Sequence, residues 1–335
     1  MAKIKKAAST FLKLFVTLLV VVWLVRKLGW NRIISIVSKA DPVWLVVALI
    51  VFILSIFLGV IQWRILLKNR GIPLPFGRAV RLYFVGMFFN NFVFGGIVGD
   101  ALKVVSIRSQ DGKGMAGLAA TFLDRFAGLW AMCGFAVAGS MVLLNRGIAL
   151  NGKTETAVLA LFVTFILFAG LMILLVSKPV QNLLFKFVDA VAVLRKARIR
   201  EVISEMLIEA HDLHILGSVA SLSTLIQFLR IGVHALTAVS LGLLSVSNFQ
   251  YFFIFVPVIA MLMTIPLPFG VRETAGGALF AFAGFPTEAA FVMGFLASIV
   301  GLVASAVGGI FFIAEKNFIS GKSNEKNLYS STTVQ

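Results

Sequence analysis

The chain has 335 residues, of which 60% are hydrophobic and only 13% charged, and its mean hydropathy is +1.01. Soluble domains carry about 25% charged residues, so too few polar groups remain here to cover a water-facing surface. A disordered chain, a coiled coil and an ordinary cytosolic domain are excluded, and an integral membrane protein is implied. The net charge of +16 would suggest nucleic acid in a soluble protein. In a membrane protein basic loops orient the chain and meet anionic headgroups, so no nucleic-acid partner is expected.

Lys3, Lys5 and Lys6 precede an apolar run from Phe11 to Leu28, which ends in Arg26-Lys27-Leu28-Gly29-Trp30 rather than a small-residue cleavage site. This predicts an uncleaved first span. Further apolar stretches lie at 43–63, 82–98, 115–144, 156–177, 213–245, 249–269 and 275–314. A crossing needs about 20 residues, and 43–63 and 156–177 read as simple spans. The 82–98 stretch is short and contains Asn90-Asn91, Gly95-Gly96 and Gly99-Asp100; the 249–269 stretch is broken by Pro257, Pro266 and Pro268 and followed by Gly270. Such interruptions predict re-entrant hairpins, which survive only where protein or a wet cavity surrounds them. With both hairpins re-entrant and a cytoplasmic N-terminus, 20 basic residues fall on the cytoplasmic side and 6 on the other. Were both segments full spans, the basic cluster of 178–200 would change sides, against the positive-inside rule. The expected fold is therefore an all-α integral membrane protein with about six full spans and two re-entrant hairpins. Both termini would be cytoplasmic, in a bacterial-type inner membrane.

Segments 115–144 and 289–314 align at an offset of 173 residues: Phe122-Leu123 matches Phe295-Leu296, and Gly128-Leu129 matches Gly301-Leu302. At the same offset Asp100 falls on Glu273 and Phe76 on Phe249. This predicts one polytopic domain over 1–335 with a first repeat at 43–144 and a second at 213–314. The single span between them would invert the second copy, a recurrent transporter arrangement. Residues 178–212 carry Val180, Leu183, Leu184, Phe187 and Val191 at helical spacing among basic residues. This predicts a cytoplasmic amphipathic segment, with a plain linker helix as the alternative. The polar tail at 315–335 is expected to be disordered.

Candidate site residues are polar groups inside apolar segments. Asp124-Arg125 lies mid-span, at about 2.5–3.5 kcal/mol per charge on insertion scales, and is either a structural pair or part of a pathway. Its counterparts at the 173 offset are Ala297 and Ser298, so the scaffold does not demand charge there. Gln227, Arg230 and His234 share one helix face, opposite Leu54, Phe57 and Ile61 at that offset; they read either as a lining or as interhelical glue. The glycines Gly95, Gly96 and Gly99 let the backbone turn next to Asn90, Asn91 and Asp100, and Asp100 can cap a helix restarting there. Arg272-Glu273 occupies the equivalent turn after Gly270. Arg125, Arg230 and Arg272 are candidate phosphate clamps, because a guanidinium grips phosphate through two parallel bonds. A lone cysteine, Cys133, and three histidines without zinc-ligand spacing predict no disulfide, metal or cofactor.

The pattern Asn90-Asn91…Gly95-Gly96…Gly99-Asp100-Ala-Leu-Lys103, then Asp124-Arg125-Phe-Ala-Gly128-Leu, then Pro-Leu-Pro-Phe-Gly-Val-Arg272-Glu273 resembles the lysylphosphatidylglycerol synthase transmembrane-region family, also called the flippase-like domain family. The resemblance covers roughly 10–315. It implies a membrane domain associated with lipid translocation; the soluble domain that makes the aminoacyl lipid has no counterpart in this sequence. The expected function is a non-enzymatic flippase moving an anionic or polyprenyl-linked phospholipid. A headgroup-modifying membrane enzyme and a non-transporting assembly partner are the alternatives. Expected partners are membrane phospholipids and anionic headgroups at the cytoplasmic face, with homo-oligomerisation left open.

Overall fold

The computed structural model describes residues 30–92, 98–111, 113–145, 178–190, 212–262 and 271–314, with isolated positions between 159 and 204. The expected spans at 11–28 and 156–177, the hairpin tips at 93–97 and 263–270, and the tail from 315 lie outside these residues, apart from those isolated positions.

Every regular element among the described residues is helical. In chain order these are α1 (Trp30–Val37), α2 (Pro42–Asn69), α3 (Phe76–Phe92), α4 (Val98–Asp111), α5 (Gly114–Asn145) and α6 (Lys178–Ala190). They continue with α7 (Leu213–Ser240), a short 3₁₀ turn Phe249–Tyr251 leading into α8 (Phe252–Leu262), then α9 (Val271–Phe282) and α10 (Thr287–Ala314). Four of them, α2, α5, α7 and α10, are long and apolar enough to cross a membrane. At 1.5 Å per residue, 28 residues reach about 42 Å. Their outward residues, among them Val46, Ile50, Phe122, Ile310 and Ile313, are exposed, as lipid contact requires.

The same local devices start and stop α2 and α7. Asp41 accepts a hydrogen bond from Val43 N at the head of α2, and Asp212 accepts from His214 N and Ile215 N at the head of α7. At the far ends Ile72 N returns to Leu67 O, and Leu243 N to Ala238 O. Gly71 and Gly242 stand in these turns at φ +69° and +66°, where a side chain would be strained. These features lie 171 residues apart. Beyond them the helix starts at Phe76 and Phe249, Val98 and Val271, and Gly114 and Thr287 lie 173 apart, because the second connection is two residues longer. A uniform offset of 173 therefore misplaces α7: Gln227, Arg230 and His234 correspond to Ile56, Gly59 and Trp63, not to Leu54, Phe57 and Ile61.

α2 and α7 lie side by side and antiparallel. Asp41 N donates to Ser240 O at 2.8 Å at one end, and Ser223 Oγ donates to Gln62 Oε1 at 2.8 Å toward the other. α3 stacks on α10 through Phe84–Phe311 and Phe89–Phe312, and α8 on α5 through Phe135–Phe253. α4 also packs on α5, and α9 on α10. Two apolar cores result. One is centred on Ile56, Trp63, Leu67, Leu82 and Val85, the other on Phe252, Phe255, Phe280, Phe285 and Met293.

The short helices differ from their sequence reading. Only 82–98 reads as apolar, yet the segment folds into two limbs, α3 and α4, the second running through the polar stretch Lys103-Val-Val-Ser106. The 275–314 stretch likewise divides at Gly284 (φ +85°) and Pro286 into α9 and α10. α3 and α4 cross where Gly86 meets Gly99, so closely that a Cβ on Gly99 would overlap the Gly86 carbonyl. Asn90 Oδ1 accepts from Gly99 N at 2.8 Å, serving the first turn of α4. The outer ends of the two limbs are also tied, since Lys113 Nζ donates to Gly71 O at 2.9 Å.

Candidate functional site

Asp124 and Arg125 lie 10 and 11 residues into α5, about 15–17 Å from its start. Successive helical residues diverge by about 100°, and the two side chains part accordingly. Asp124 is buried, 9% exposed. Its Oδ1 accepts from Gln62 Nε2 of α2 at 3.0 Å and its Oδ2 from Tyr83 OH of α3 at 3.4 Å. Because Ser223 Oγ occupies the Gln62 oxygen, the amide nitrogen must face the carboxylate. Arg125 turns instead to α4, where its Nε donates to Asp100 Oδ2 at 2.8 Å. Its side chain keeps 54% of its surface accessible, so this guanidinium is exposed although it sits well inside a membrane-length helix.

Asp100 thus pairs rather than caps. Besides Arg125 it holds Lys103, whose Nζ lies 3.0 Å from Oδ1, while Asn90 provides the cap. Lys103 is itself buried, 4% exposed, with its ammonium 5.1 Å from the Trp63 ring centre and 4.7 Å from that of Tyr83. Aromatic faces attract a cation strongly where water is excluded. Trp63 is anchored in turn by Nε1 donating to Thr121 Oγ1 at 3.1 Å.

α7 supplies the third wall. Gln227 is 4% exposed and faces α5, where a Cβ on Gly128 would stand 2.7 Å from its Nε2. One turn on, Arg230 lies within electrostatic reach of Arg125, Asp124 and Tyr83. Gln227 Oε1 and Arg230 Nε are both buried and, among the described residues, without a hydrogen-bond partner. Among the described residues the cluster holds three cations, Lys103, Arg125 and Arg230, against two carboxylates, Asp100 and Asp124. It is net positive and carries a donor and an acceptor not yet used, which suits an anion bearing hydroxyl or amine groups. Ser223 lies level with Asp124 through Gln62, and Gln227 level with Gly128. Arg230 therefore stands six residues above Arg125 on parallel helices, an offset of about 9 Å.

Residues 10–309 match the family model described as the lysylphosphatidylglycerol synthase TM region. The chain belongs to that family. A 108-residue stretch is also 27% identical to a protein named UPF0104 membrane protein from Pyrococcus horikoshii, covering 31% of this chain and 32% of that protein. The match therefore spans about a third of the relative's length. No solved structure matches significantly.

In this member of the lysylphosphatidylglycerol synthase TM region family, the structure brings together Asp100, Asp124, Arg125, Gln227 and Arg230, with Asn90 and Gly99 bracing the start of α4. Asn91 is exposed on α3 and takes no part. His234 lies one turn beyond Arg230 and gives its carbonyl to Thr237 Oγ1. Gly95, Gly96 and Gly270 fall outside the described residues, as do the side chains of Arg272 and Glu273 at the start of α9. The sequence reading missed Gln62, Tyr83, Trp63 and Ser223, and it counted Lys103 as a loop charge. Moving Lys103 into the core leaves the charge asymmetry of the loops intact.

Proposed function

We propose that this protein is a lipid translocase. It carries an anionic or polyprenyl-linked phospholipid between the leaflets of a bacterial-type inner membrane and leaves the lipid chemically unchanged. The observation that carries this reading is the net-positive cluster around the half-exposed Arg125, set inside membrane-length helices. Charge at such depth is costly and is retained for pathways. A phosphate reaching the exposed Arg125 would meet it first and Arg230 about 9 Å further along, a step comparable to the length of a headgroup. Membrane phospholipids are the partners this reading requires, with anionic headgroups engaging the basic cytoplasmic face, and self-association is compatible with it. No catalytic step is assigned.

Further architectural readings accompany it. The tie between Lys113 and Gly71 supports a re-entrant hairpin for α3–α4, because it joins the two ends of that segment. The shared caps of α2 and α7, and their antiparallel contact, support an inverted repeat with a second hairpin at α8–α9. The basic excess supports cytoplasmic termini.

The test is purified protein in phosphatidylcholine liposomes containing a headgroup-intact, chain-labelled phosphatidylglycerol. Leaflet exchange is followed by quenching, and the lipid is weighed by mass spectrometry afterwards. Protein-dependent exchange without mass change is expected. A changed mass would replace the reading with a headgroup-modifying enzyme, and neither exchange nor mass change with phosphatidylglycerol or a polyprenyl phosphate would refute it.

A further inference from the structure

Among the described residues Asp124 has no cation paired to it. Lys103 and Arg125 both pair with Asp100, and among the described residues no ion pair reaches Asp124. What touches its carboxylate are two neutral donors, the Gln62 amide and the Tyr83 hydroxyl. A carboxylate that far from bulk water and held only by neutral donors is costly to keep charged, and taking up a proton removes that cost. The surroundings accommodate the neutral acid as well, because the Tyr83 hydroxyl can accept from a carboxylic O–H as readily as it donates to a carboxylate. They do not suit a metal cation, which needs several oxygen ligands: Gln62 presents nitrogen here, its oxygen being held by Ser223.

We propose that Asp124 is a proton-binding site whose occupancy is linked to the anion at Arg125 and Arg230, so that lipid and proton are carried together; this rests on the translocase reading above. The groups acting on Asp124 are Lys103 and Asp100 from α4, Arg125 beside it on α5, Arg230 from α7 and Tyr83 from α3, while α2 contributes the uncharged Gln62. The three cations oppose protonation, and Asp100 promotes it. A bound phosphate adds a second negative charge nearby and tips the balance toward the protonated acid. By linkage, the protonated acid binds the phosphate more tightly to the same degree. With Asp124 neutral the site holds three cations against one carboxylate. The proton comes from water on one face and returns to water on the other, and no bond of the lipid is made or broken.

Two readouts on the full-length protein test this. In infrared spectra of protein in phosphatidylcholine bilayers, lowering the pH should bring up a carboxylic-acid carbonyl band that is missing in Asp124→Asn. Adding phosphatidylglycerol at fixed pH should strengthen it. In liposomes, a transmembrane pH gradient should drive labelled phosphatidylglycerol toward the leaflet facing the alkaline side, by up to about tenfold per pH unit for one proton per lipid. Asp124→Asn should abolish that bias. Tyr83→Phe removes one of the two donors to the carboxylate; it should fold even where Asp124→Asn does not, and should move the midpoint of the band to higher pH. No Asp124-dependent band, a band indifferent to phosphatidylglycerol, or lipid movement equal with and without a gradient would overturn the proposal. A lipid-sensitive band without any lipid movement would overturn the translocase reading and leave the proton site standing.

Discussion

Replacing Arg125 separates a pathway residue from a scaffold residue. Its guanidinium gives Asp100 a charge-assisted hydrogen bond at 2.8 Å. Asp100 would not be orphaned by its loss, because Lys103 remains 3.0 Å away. The penalty therefore stays below the 3–5 kcal/mol of a stranded buried charge. A charge-assisted bond contributes about 1.5–3 kcal/mol, and the half-exposure of Arg125 reduces it toward the lower figure. Arg125→Ala should thus lower stability by about 1–2 kcal/mol, and Arg125→Lys by less, since an ammonium can still reach the carboxylate. Transport should respond differently. If the guanidinium fork grips a phosphate in the transport step, losing one charged bond there slows exchange about 10- to 100-fold, and Lys does not restore the fork. Both variants would be purified, melted in detergent and assayed for phosphatidylglycerol exchange per folded molecule. Exchange lost in both, with melting nearly unchanged in Arg125→Lys, is the expected pattern. Lower melting with unchanged exchange per folded molecule would make Arg125 scaffolding and refute the argument.

Other perturbations follow from the same geometry. Gly99→Ala forces α3 and α4 apart at their closest approach and should cost about 1–3 kcal/mol, as overpacking does; an unchanged melting temperature would show that the crossing is looser than described. In a Cys133→Ser background, single cysteines at the exposed Lys68 and Arg108 should share one accessibility to impermeant thiol reagents in intact cells, as a re-entrant α3–α4 requires, and opposite accessibility would make the segment a full span. A cysteine at Ala190, at the end of α6, should stay unlabelled from outside; labelling there would reverse the proposed orientation.

The fold was legible where physics leaves a strong trace in composition. Long apolar runs disclosed α2, α5, α7 and α10, and the broken runs marked the places where short helices pair. The second limbs α4 and α9 were harder to see. Lys103, Ser106 and Arg108 make α4 look like a loop, and it packs as a helix because its neighbours cover the face that carries Lys103 and Ser106. The site was legible only in part for a related reason. A charge inside an apolar run is conspicuous, so Asp124, Arg125 and Arg230 stood out. Gln62 and Ser223 are ordinary single polar residues in long spans and Tyr83 one in the short α3, and their role arises from three helices meeting at one height. The amide at Gln62, in the last third of the long apolar run of α2, was a signal that could have pointed there. Lys103 was concealed by its neighbours in sequence and is explained by its neighbours in space, since the two rings that shelter it come from α2 and α3.

The charges do not follow the symmetry of the helices that carry them. Capping, chain reversal and helix starts recur at 171 to 173 residues, yet Asp124 and Arg125 correspond to Ala297 and Ser298, and Arg230 corresponds to Gly59. Of the charges in and around the cluster, the acid at the start of the short helix recurs, Asp100 in one half and Glu273 in the other. A device whose sole task was to hold two like halves together would place its charges equivalently, because the packing demands are the same twice. Here the first half offers its arginine on α5, the second half offers its own on α7, and the two stand at different heights on parallel helices. Holding three cations and two carboxylates in this staggered way among membrane-length helices costs stability that apolar residues at the same positions would not. The uncharged counterparts in the opposite halves, Ala297, Ser298 and Gly59, show that the scaffold accepts such residues. That cost is accounted for if an anion is meant to pass from one arginine to the next, with Asp124 adjusting the field between them.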